Sequence, residues 1–318
     1  MRMRNKAGLR SGDIRVGCEG SRYFVFSLCL LLTGIALAQS GEKGLGEEFV
    51  YPATLDAMGL VRTESYFKRL ALLRKASNNL SSDQITALRE FLCYSVDEAG
   101  LNNECLHAFK NEIANILLNQ KMLPDGIVGQ FIEMAEEERQ GSVWRDYCVQ
   151  HLGGVMSRLS DADREQCAEF FFKKTKVFDA GIAGTALIAL SLNVDTQEIE
   201  KRSLAERAYE VAIDEEMDMP SRITAIQIAA SHRSEKILSL ARQLVDSSGN
   251  INLRASSLAA LGSLGTDADL LLLEKYVNSG RYRLRTAACA ALKRLETRLL
   301  MKKNNFNDTV SSASGLRT

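Results

Sequence analysis

The chain has 318 residues, of which 46% are hydrophobic and 25% charged, with 40 basic and 40 acidic side chains. These proportions are typical of a globular protein with a sizeable core, and they exclude a disordered or collagen-like chain. The sequence contains three prolines, against a usual share of about 5%. Because proline breaks helix interiors, its scarcity predicts an all-helical protein.

The N-terminus has the three parts of a secretory signal peptide. Residues 1–22 carry six basic and two acidic side chains, a net charge of +4, and an apolar run from Tyr23 to Ala38 ends in an A-x-A pattern. This run has 16 residues, whereas a bilayer span needs about 20. We therefore expect residues 1–38 to be cleaved and the protein to be periplasmic or secreted. An uncleaved segment 23–38 that anchors the protein to a membrane is the alternative.

The chain that follows residue 38 is slightly acidic, with 34 basic and 38 acidic side chains. Binding to phosphate backbones requires clustered positive charge, so nucleic acid is not an expected partner. Residues 39–53 are rich in Gly and Glu and lack apolar periodicity, which predicts a linker. Residues 304–318 are rich in Asn, Ser and Thr and are predicted to be a disordered tail.

Residues 54–140 show amphipathic helical patterns separated by short polar breaks. Apolar residues at spacings of three and four predict several helices, which lie near 66–73, 85–92, 113–117 and 127–134. Ser82 with Asp83 offers an N-cap for the second of them. No stretch alternates apolar and polar residues for long enough to predict a strand. This region is predicted to consist of divergent repeats or of a cap on the repeats that follow.

A sequence motif recurs within residues 141–303. Arg285 opens R-T-A-A-C-A-A-L-K-R-L, and Arg254, thirty-one residues earlier, opens R-A-S-S-L-A-A-L-G-S-L in the same register. Weaker copies begin at Arg222, Ala180 and Arg145. Another amphipathic helix precedes the later copies, at 161–173, 196–213, 234–245 and 266–277. Two helices per repeat of about 31 residues predict an α-solenoid, whose units bury their apolar faces by stacking.

The motif R-x-x-A/S-x-A-A-L-x-x-L, with Asp218-Met-Pro-Ser-Arg222 in one turn, resembles HEAT repeats of the bacterial, phycobilisome-lyase-like type. The resemblance is clear over Met219–Leu295 and weaker over Gly141–Ile213. The family often has Asp four residues before the Arg. Asp218 matches this pattern, whereas Asn250 and Arg281 depart from it. The resemblance implies a HEAT-like right-handed superhelix of antiparallel helix pairs, and it says little about function because sites are grafted onto folds.

We expect an exported, non-enzymatic scaffold that holds a protein or peptide on a concave face lined by the second helices of the repeats. The alternatives are a lyase-like HEAT enzyme or chromophore-processing protein, and a membrane-anchored assembly factor. Nucleophile–base catalysis is disfavoured because the three histidines are far apart in sequence and none adjoins an acidic residue. HEAT-repeat hydroxylases hold iron with His-Glu pairs, whereas these histidines precede Ala108, Leu152 and Arg233. No cofactor is expected.

Two kinds of side chain are candidates for partner binding. One is a set of arginines at equivalent repeat positions, extended by two more in the last repeat; they are Arg222, Arg254, Arg285, Arg281 and Arg283. They could grip carboxylates of a partner, or they could tie each repeat to its neighbour, which the HEAT resemblance favours. The other is the single tryptophan, Trp144, which could anchor a partner or pack against the preceding helix.

The cysteines raise two further possibilities. Cys93 and Cys105 flank a turn and could form a disulfide in an oxidising compartment, or they could remain unpaired thiols. Cys148 and His151 share a helix face, and Cys167 follows on the next helix, which makes this the only grouping with metal-ligand chemistry. Other copies of the motif fill the positions of Cys148 and His151 with small or apolar residues, so core packing is the simpler interpretation.

Overall fold

The structure is a computed structural model that describes residues 66–95, 99, 101–178, 181–195 and 199–314. The predicted signal peptide 1–38, the linker 39–53 and residues 54–65 lie outside the described residues. Within the described ranges the regular structure is helical and no strand occurs, so the all-α prediction is confirmed. No helix in those ranges has the length and apolar character needed to cross a bilayer.

Thirteen α-helices are described, and we number them in chain order. They are α1 (Tyr66–Leu73), α2 (Ser82–Leu92), α3 (Asn103–Leu118), α4 (Ile127–Glu136), α5 (Ser142–Val155), α6 (Asp161–Lys174), α7 (Ile182–Leu192), α8 (Lys201–Ile213), α9 (Met219–Ser231), α10 (Lys236–Ser247), α11 (Ile251–Leu264), α12 (Leu270–Val277) and α13 (Tyr282–Ser314). Short 3-10 turns lie at Glu138–Gln140, Met156–Arg158 and Asp267–Asp269.

The helices form two rows. In the second-helix row, α3, α5, α7, α9, α11 and α13 pack on one another in chain order, and α1 packs on α3. In the first-helix row, each of α2, α4, α6, α8, α10 and α12 packs on the helix that follows it in the chain. The predicted solenoid of stacked antiparallel helix pairs is therefore confirmed. The five copies of the sequence motif are α5, α7, α9, α11 and α13, all members of the second-helix row.

Small residues set the spacing of the second-helix row. A Cβ added at Gly153 of α5 would lie 2.7 Å from the Cβ of Ala189 in α7, and one at Gly262 of α11 would lie 2.6 Å from the Cα of Ala291 in α13. These contacts are too short for any side chain larger than glycine. The recurring small residues of the motif therefore let successive helices approach to backbone contact, and one hydrophobic cluster continues from α1 to α13.

Side chains cap several helices close to the predicted ends. Ser81, rather than Ser82, caps α2 through a capping box with Gln84. Ser160 caps α6 and leaves Asp161 and Asp163 in the first turn, where acidic side chains suit the positive end of the helix dipole. Asp218 of the family-like turn caps α9 by accepting a hydrogen bond of 2.9 Å from the Ser221 backbone.

The last helix is longer than predicted. α13 continues to Ser314, so the prediction of a disordered tail over 304–318 is wrong for residues 304–314. No Pro or Gly interrupts the sequence from 282 to 314. Nucleation is the costly step of helix formation, and each added residue then gains a backbone hydrogen bond. The packed part of α13 therefore nucleates the helix, and residues 304–314 extend it although their composition alone does not favour a helix.

Gly262→Ala is expected to lower the free energy of unfolding by about 1–3 kcal/mol, because overpacking at a helix contact displaces backbone. The matched control is Gly154→Ala, since a Cβ at Gly154 meets nothing within 4 Å. The control is expected to raise stability by up to about 1 kcal/mol, as alanine replaces glycine in a helix. Urea unfolding followed by circular dichroism measures both changes. Equal shifts of the same sign would contradict the close approach of α11 and α13.

Candidate functional site

Two arginines of the motif act as joints between helices. Arg222 is only 7% exposed, and its Nε donates a hydrogen bond of 3.2 Å to the Ala212 carbonyl near the end of α8. Arg254 is partly buried, and its Nε donates a hydrogen bond of 2.7 Å to the Val245 carbonyl near the end of α10. Carbonyls in the last turn of a helix have no donor within that helix. The structure therefore corrects the partner-binding interpretation of Arg222 and Arg254: each Nε joins the second helix of a pair to the first helix of the same pair.

The third arginine of the series differs from the first two. Arg285 is exposed and its guanidinium lies 5.7 Å from the centroid of the Tyr282 ring. Arg281 and Arg283 are also exposed, and Tyr282 is 73% exposed. The start of α13 therefore presents a basic turn around an aromatic ring. A partner contact there stays a prediction.

Trp144 is not a surface anchor. Its side chain is fully buried, its ring centroid lies 6.4 Å from that of Phe131 in α4, and the Nζ of Lys110 lies 5.3 Å from the ring centroid. The structure corrects the partner-binding interpretation in favour of packing against the preceding helix. The physical reason is that Trp144 occupies the first turn of α5, which faces α4 rather than solvent.

Cys93 and Cys105 are free thiols in the structure, which favours the second of the two possibilities. Cys93 follows α2, and its Sγ lies 3.5 Å from the Nε2 of Gln130 in α4. Cys105 lies in the first turn of α3, where its carbonyl accepts a hydrogen bond of 3.4 Å from Tyr66 of α1. The two cysteines therefore pack against different neighbouring helices.

Cys148, His151 and Cys167, the residues considered as metal ligands, pack within the helix stack. Cys148 and Cys167 are fully buried, and burial raises the pKa of the Cys148 thiol far above its usual range and that of Cys167 to about 12. A cysteine binds a metal ion as the deprotonated thiolate, and a raised pKa disfavours that form. The His151 Nε2 lies 3.0 Å from the Asn111 Oδ1. Among the described residues, no three His, Cys, Asp or Glu side chains lie close enough together to hold a metal ion.

A groove of about 990 Å³ lies between α6 and α8, which are neighbours in the first-helix row. Its volume is at the upper end of the range for ligand pockets. One wall is a face of α6 and the turn after it, from Asp161 to Lys176, and the other is a face of α8 from Ser203 to Glu210. We call this space the α6–α8 groove.

The groove arises because the two helices turn polar faces toward each other. In the first-helix row α4 packs on α6 and α8 packs on α10, whereas the pairs α2–α4, α6–α8 and α10–α12 are at most weakly in contact. The apolar residues of α6 and α8, such as Phe171 and Leu204, are directed into the core. Ala168 and Phe172 are the apolar residues in its lining, and the aliphatic parts of the charged side chains add further apolar surface. The result is an open channel with an apolar strip and charged walls.

The groove carries net negative charge, with five carboxylates and three cationic side chains along it. Two of the cationic side chains already form ion pairs. The Nζ of Lys173 lies 2.6 Å from the Oε1 of Glu136, and Arg207 pairs with Glu210. The side chains of Glu165 and Glu169 make no hydrogen bond or ion pair within the described part of the chain. Uncompensated carboxylates therefore face the groove from α6.

Glu206 adds negative charge from the opposite wall. Its Oε1 lies 3.7 Å from the Nε of Arg202 and 3.9 Å from the Nζ of Lys236. Both separations are longer than a charge-assisted hydrogen bond. Glu206 is therefore only loosely paired and contributes to the same field as Glu165 and Glu169.

Exposed apolar side chains follow the two segments that line the groove. Val177 and Phe178, which follow α6, are 41% and 67% exposed, and Ile213 at the end of α8 is 43% exposed. Because helices of the same row run in the same direction, the ends of α6 and α8 lie at the same edge of the stack. Sequence reasoning missed this surface. The signal that could have found it is the run of acidic residues at 161, 165 and 169, four apart on one helix face.

Comparison with known proteins adds little beyond the fold. No protein-family model matches the sequence, and no curated protein matches it. A solved structure of human deoxyhypusine hydroxylase in complex with glycerol is similar to this chain, with 14% identity over 76% of this chain and 96% of that chain. The TM-score is 0.32, which is too low for an argument about activity or site residues. The groove therefore has to be interpreted from its own geometry.

Proposed function

We propose that the protein is a non-enzymatic interaction scaffold that holds a segment of a partner protein in the α6–α8 groove. The observation that carries this proposal is the groove itself, an open channel of about 990 Å³ between two helices that are at most weakly in contact. Channels of this kind accept a helix or peptide of another protein. The closely packed second-helix row forms a rigid support for the two helices that line the groove.

The proposal moves the partner from the second-helix row, where the sequence predicted it, to the first-helix row. Arg222 and Arg254 donate hydrogen bonds to backbone carbonyls of the preceding helices. They are therefore not proposed as partner contacts. The basic turn at Arg281 and Arg283 offers a separate surface for a second contact. We place this scaffold outside the cytoplasm, in the periplasm or secreted, because residues 1–38 have the pattern of a cleaved signal peptide.

Site-directed photo-crosslinking in cells tests the scaffold proposal. A photoreactive residue in place of Ser203, which lines the groove, is expected to crosslink to a discrete protein. The matched control replaces Ser239, an exposed serine of α10 outside the groove, and is expected to give no such product. The same products from both positions, or a groove position that yields no protein, would overturn the proposal. Mass spectrometry of the same sample identifies the N-terminus, and a chain that begins at Gln39 is expected.

A further inference from the structure

The charge of the groove specifies the chemistry of its occupant. Resting on the proposed function above, we propose that the α6–α8 groove accepts a positively charged amphipathic helix of a partner protein. Basic side chains of that helix face Glu165, Glu169 and Glu206, and its apolar side chains contact Phe172 and the exposed residues at the end of the groove. Three features of the groove favour this occupant: uncompensated charge, matching spacing and apolar surface.

The uncompensated charge lies on α6. Glu165 and Glu169 are four residues apart, and like charges at this spacing destabilise a helix. Neither carboxylate has a cationic partner in the described residues, whereas Lys173 and Arg207 are paired with acidic side chains. A cationic occupant removes the repulsion, and an acidic occupant increases it.

The spacing of the carboxylates matches a helix that runs alongside α6. Residues four apart on an α-helix are separated by about 6 Å along its axis. Lys or Arg side chains at i and i+4 of a partner helix therefore meet Glu165 and Glu169 in register, with Glu206 on the opposite wall. The wall from Asp161 to Lys176 is about 22 Å long, which corresponds to about 15 residues of helix.

The apolar surface adds a requirement that a simple polycation does not meet. Phe172 is partly buried within the groove, and Val177, Phe178 and Ile213 are exposed at the edge where α6 and α8 end. Lys176 lies at this same end of α6. The occupant therefore carries an apolar stripe beside its basic residues, and this stripe extends to the end of the groove near Phe178.

Binding of synthetic peptides to the purified full chain tests the inference. The probe is a fluorescent amphipathic helix of about 15 residues with lysines at i and i+4 beside a leucine stripe. One control peptide has glutamate in place of each lysine, and a second has the same composition in scrambled order. Fluorescence anisotropy is expected to show binding of the lysine peptide only, weaker at high salt because salt screens exposed charges.

Variants of the chain locate the binding site. The double variant Glu165→Lys with Glu169→Lys is expected to weaken binding of the lysine peptide about tenfold or more, since two attractive charges become repulsive. The matched control, Glu90→Lys with Glu274→Lys, changes the net charge equally at exposed positions outside the groove and is expected to alter affinity less than about twofold. Phe178→Ser is expected to weaken binding at both low and high salt. Circular dichroism verifies that each variant is folded.

Three results would overturn the inference: equal weakening by the control double variant, equal binding of the scrambled peptide, or preferred binding of the glutamate peptide. If any of them occurs while the crosslink at position 203 stays specific in cells, the scaffold proposal stands and the basic amphipathic occupant is wrong. If the crosslink at position 203 is absent, the scaffold proposal itself falls.

Discussion

Trp144→Ala is expected to lower the free energy of unfolding by about 3–5 kcal/mol, as is usual when a large aromatic side chain is removed from a core. The side chain is fully buried between α4 and α5. Its loss leaves a cavity beside Phe131 and removes the ring from the Lys110 ammonium, which lies 5.3 Å from the ring centroid. Urea unfolding followed by far-ultraviolet circular dichroism measures the change.

Trp144→Phe is the control for this substitution. It keeps an aromatic ring in the cavity, so its cost is expected to be clearly smaller than that of alanine. The experiment also separates the two interpretations of this residue. A partner anchor would lose binding on substitution and keep its stability, whereas a core residue loses stability first. A fully stable Trp144→Ala protein with weakened partner binding would contradict the buried position of the ring.

Acidification from pH 6.5 to about 4 is expected to remove about 3 kcal/mol of stability through His151 alone. Burial lowers the pKa of His151 from its ordinary 6.5 to about 4. The unfolded chain therefore takes up a proton at this residue before the folded protein does. The stabilisation is complete above pH 6.5 and is lost as the pH falls toward the folded pKa.

The difference between the native protein and His151→Gln isolates this contribution. Glutamine stays neutral at every pH and can keep the contact with Asn111, whose Oδ1 lies 3.0 Å from the His151 Nε2. His107 and His232, whose pKa values are also lowered by burial, contribute equally to both proteins and cancel. Urea unfolding at a series of pH values is expected to show a shallower pH dependence for the variant. Parallel curves would mean that His151 is solvated in the folded protein.

The repeat architecture allows these two substitutions to be tested separately from the groove. Trp144 and His151 lie in α5, whereas the groove belongs to α6 and α8. In stacked repeats each unit contacts mainly its neighbours. A destabilised α5 is therefore expected to lower the stability of the stack while the peptide affinity of the remaining folded protein stays close to the native value.

The sequence by itself determined the fold class and the placement of the repeat helices. The motif that begins at Arg222, Arg254 and Arg285 predicts a helix in each of three successive repeats, and all three are found in the second-helix row. This success has a local cause, since apolar spacing of three and four residues, N-capping side chains and scarce proline all act within one helix. The small residues of the motif lie where the structure brings successive helices close together.

Only the tertiary structure decided what the polar residues do. Arg222 and Trp144 were candidates for partner binding until the packing of their neighbours showed that both are buried. The carboxylates of Glu165 and Glu206, 41 positions apart in sequence, gained significance because α6 and α8 face each other across an open channel. Exposure, charge compensation and facing surfaces depend on contacts between distant segments. Local periodicity encodes which face of a helix is apolar, but not which helix lies opposite its polar face.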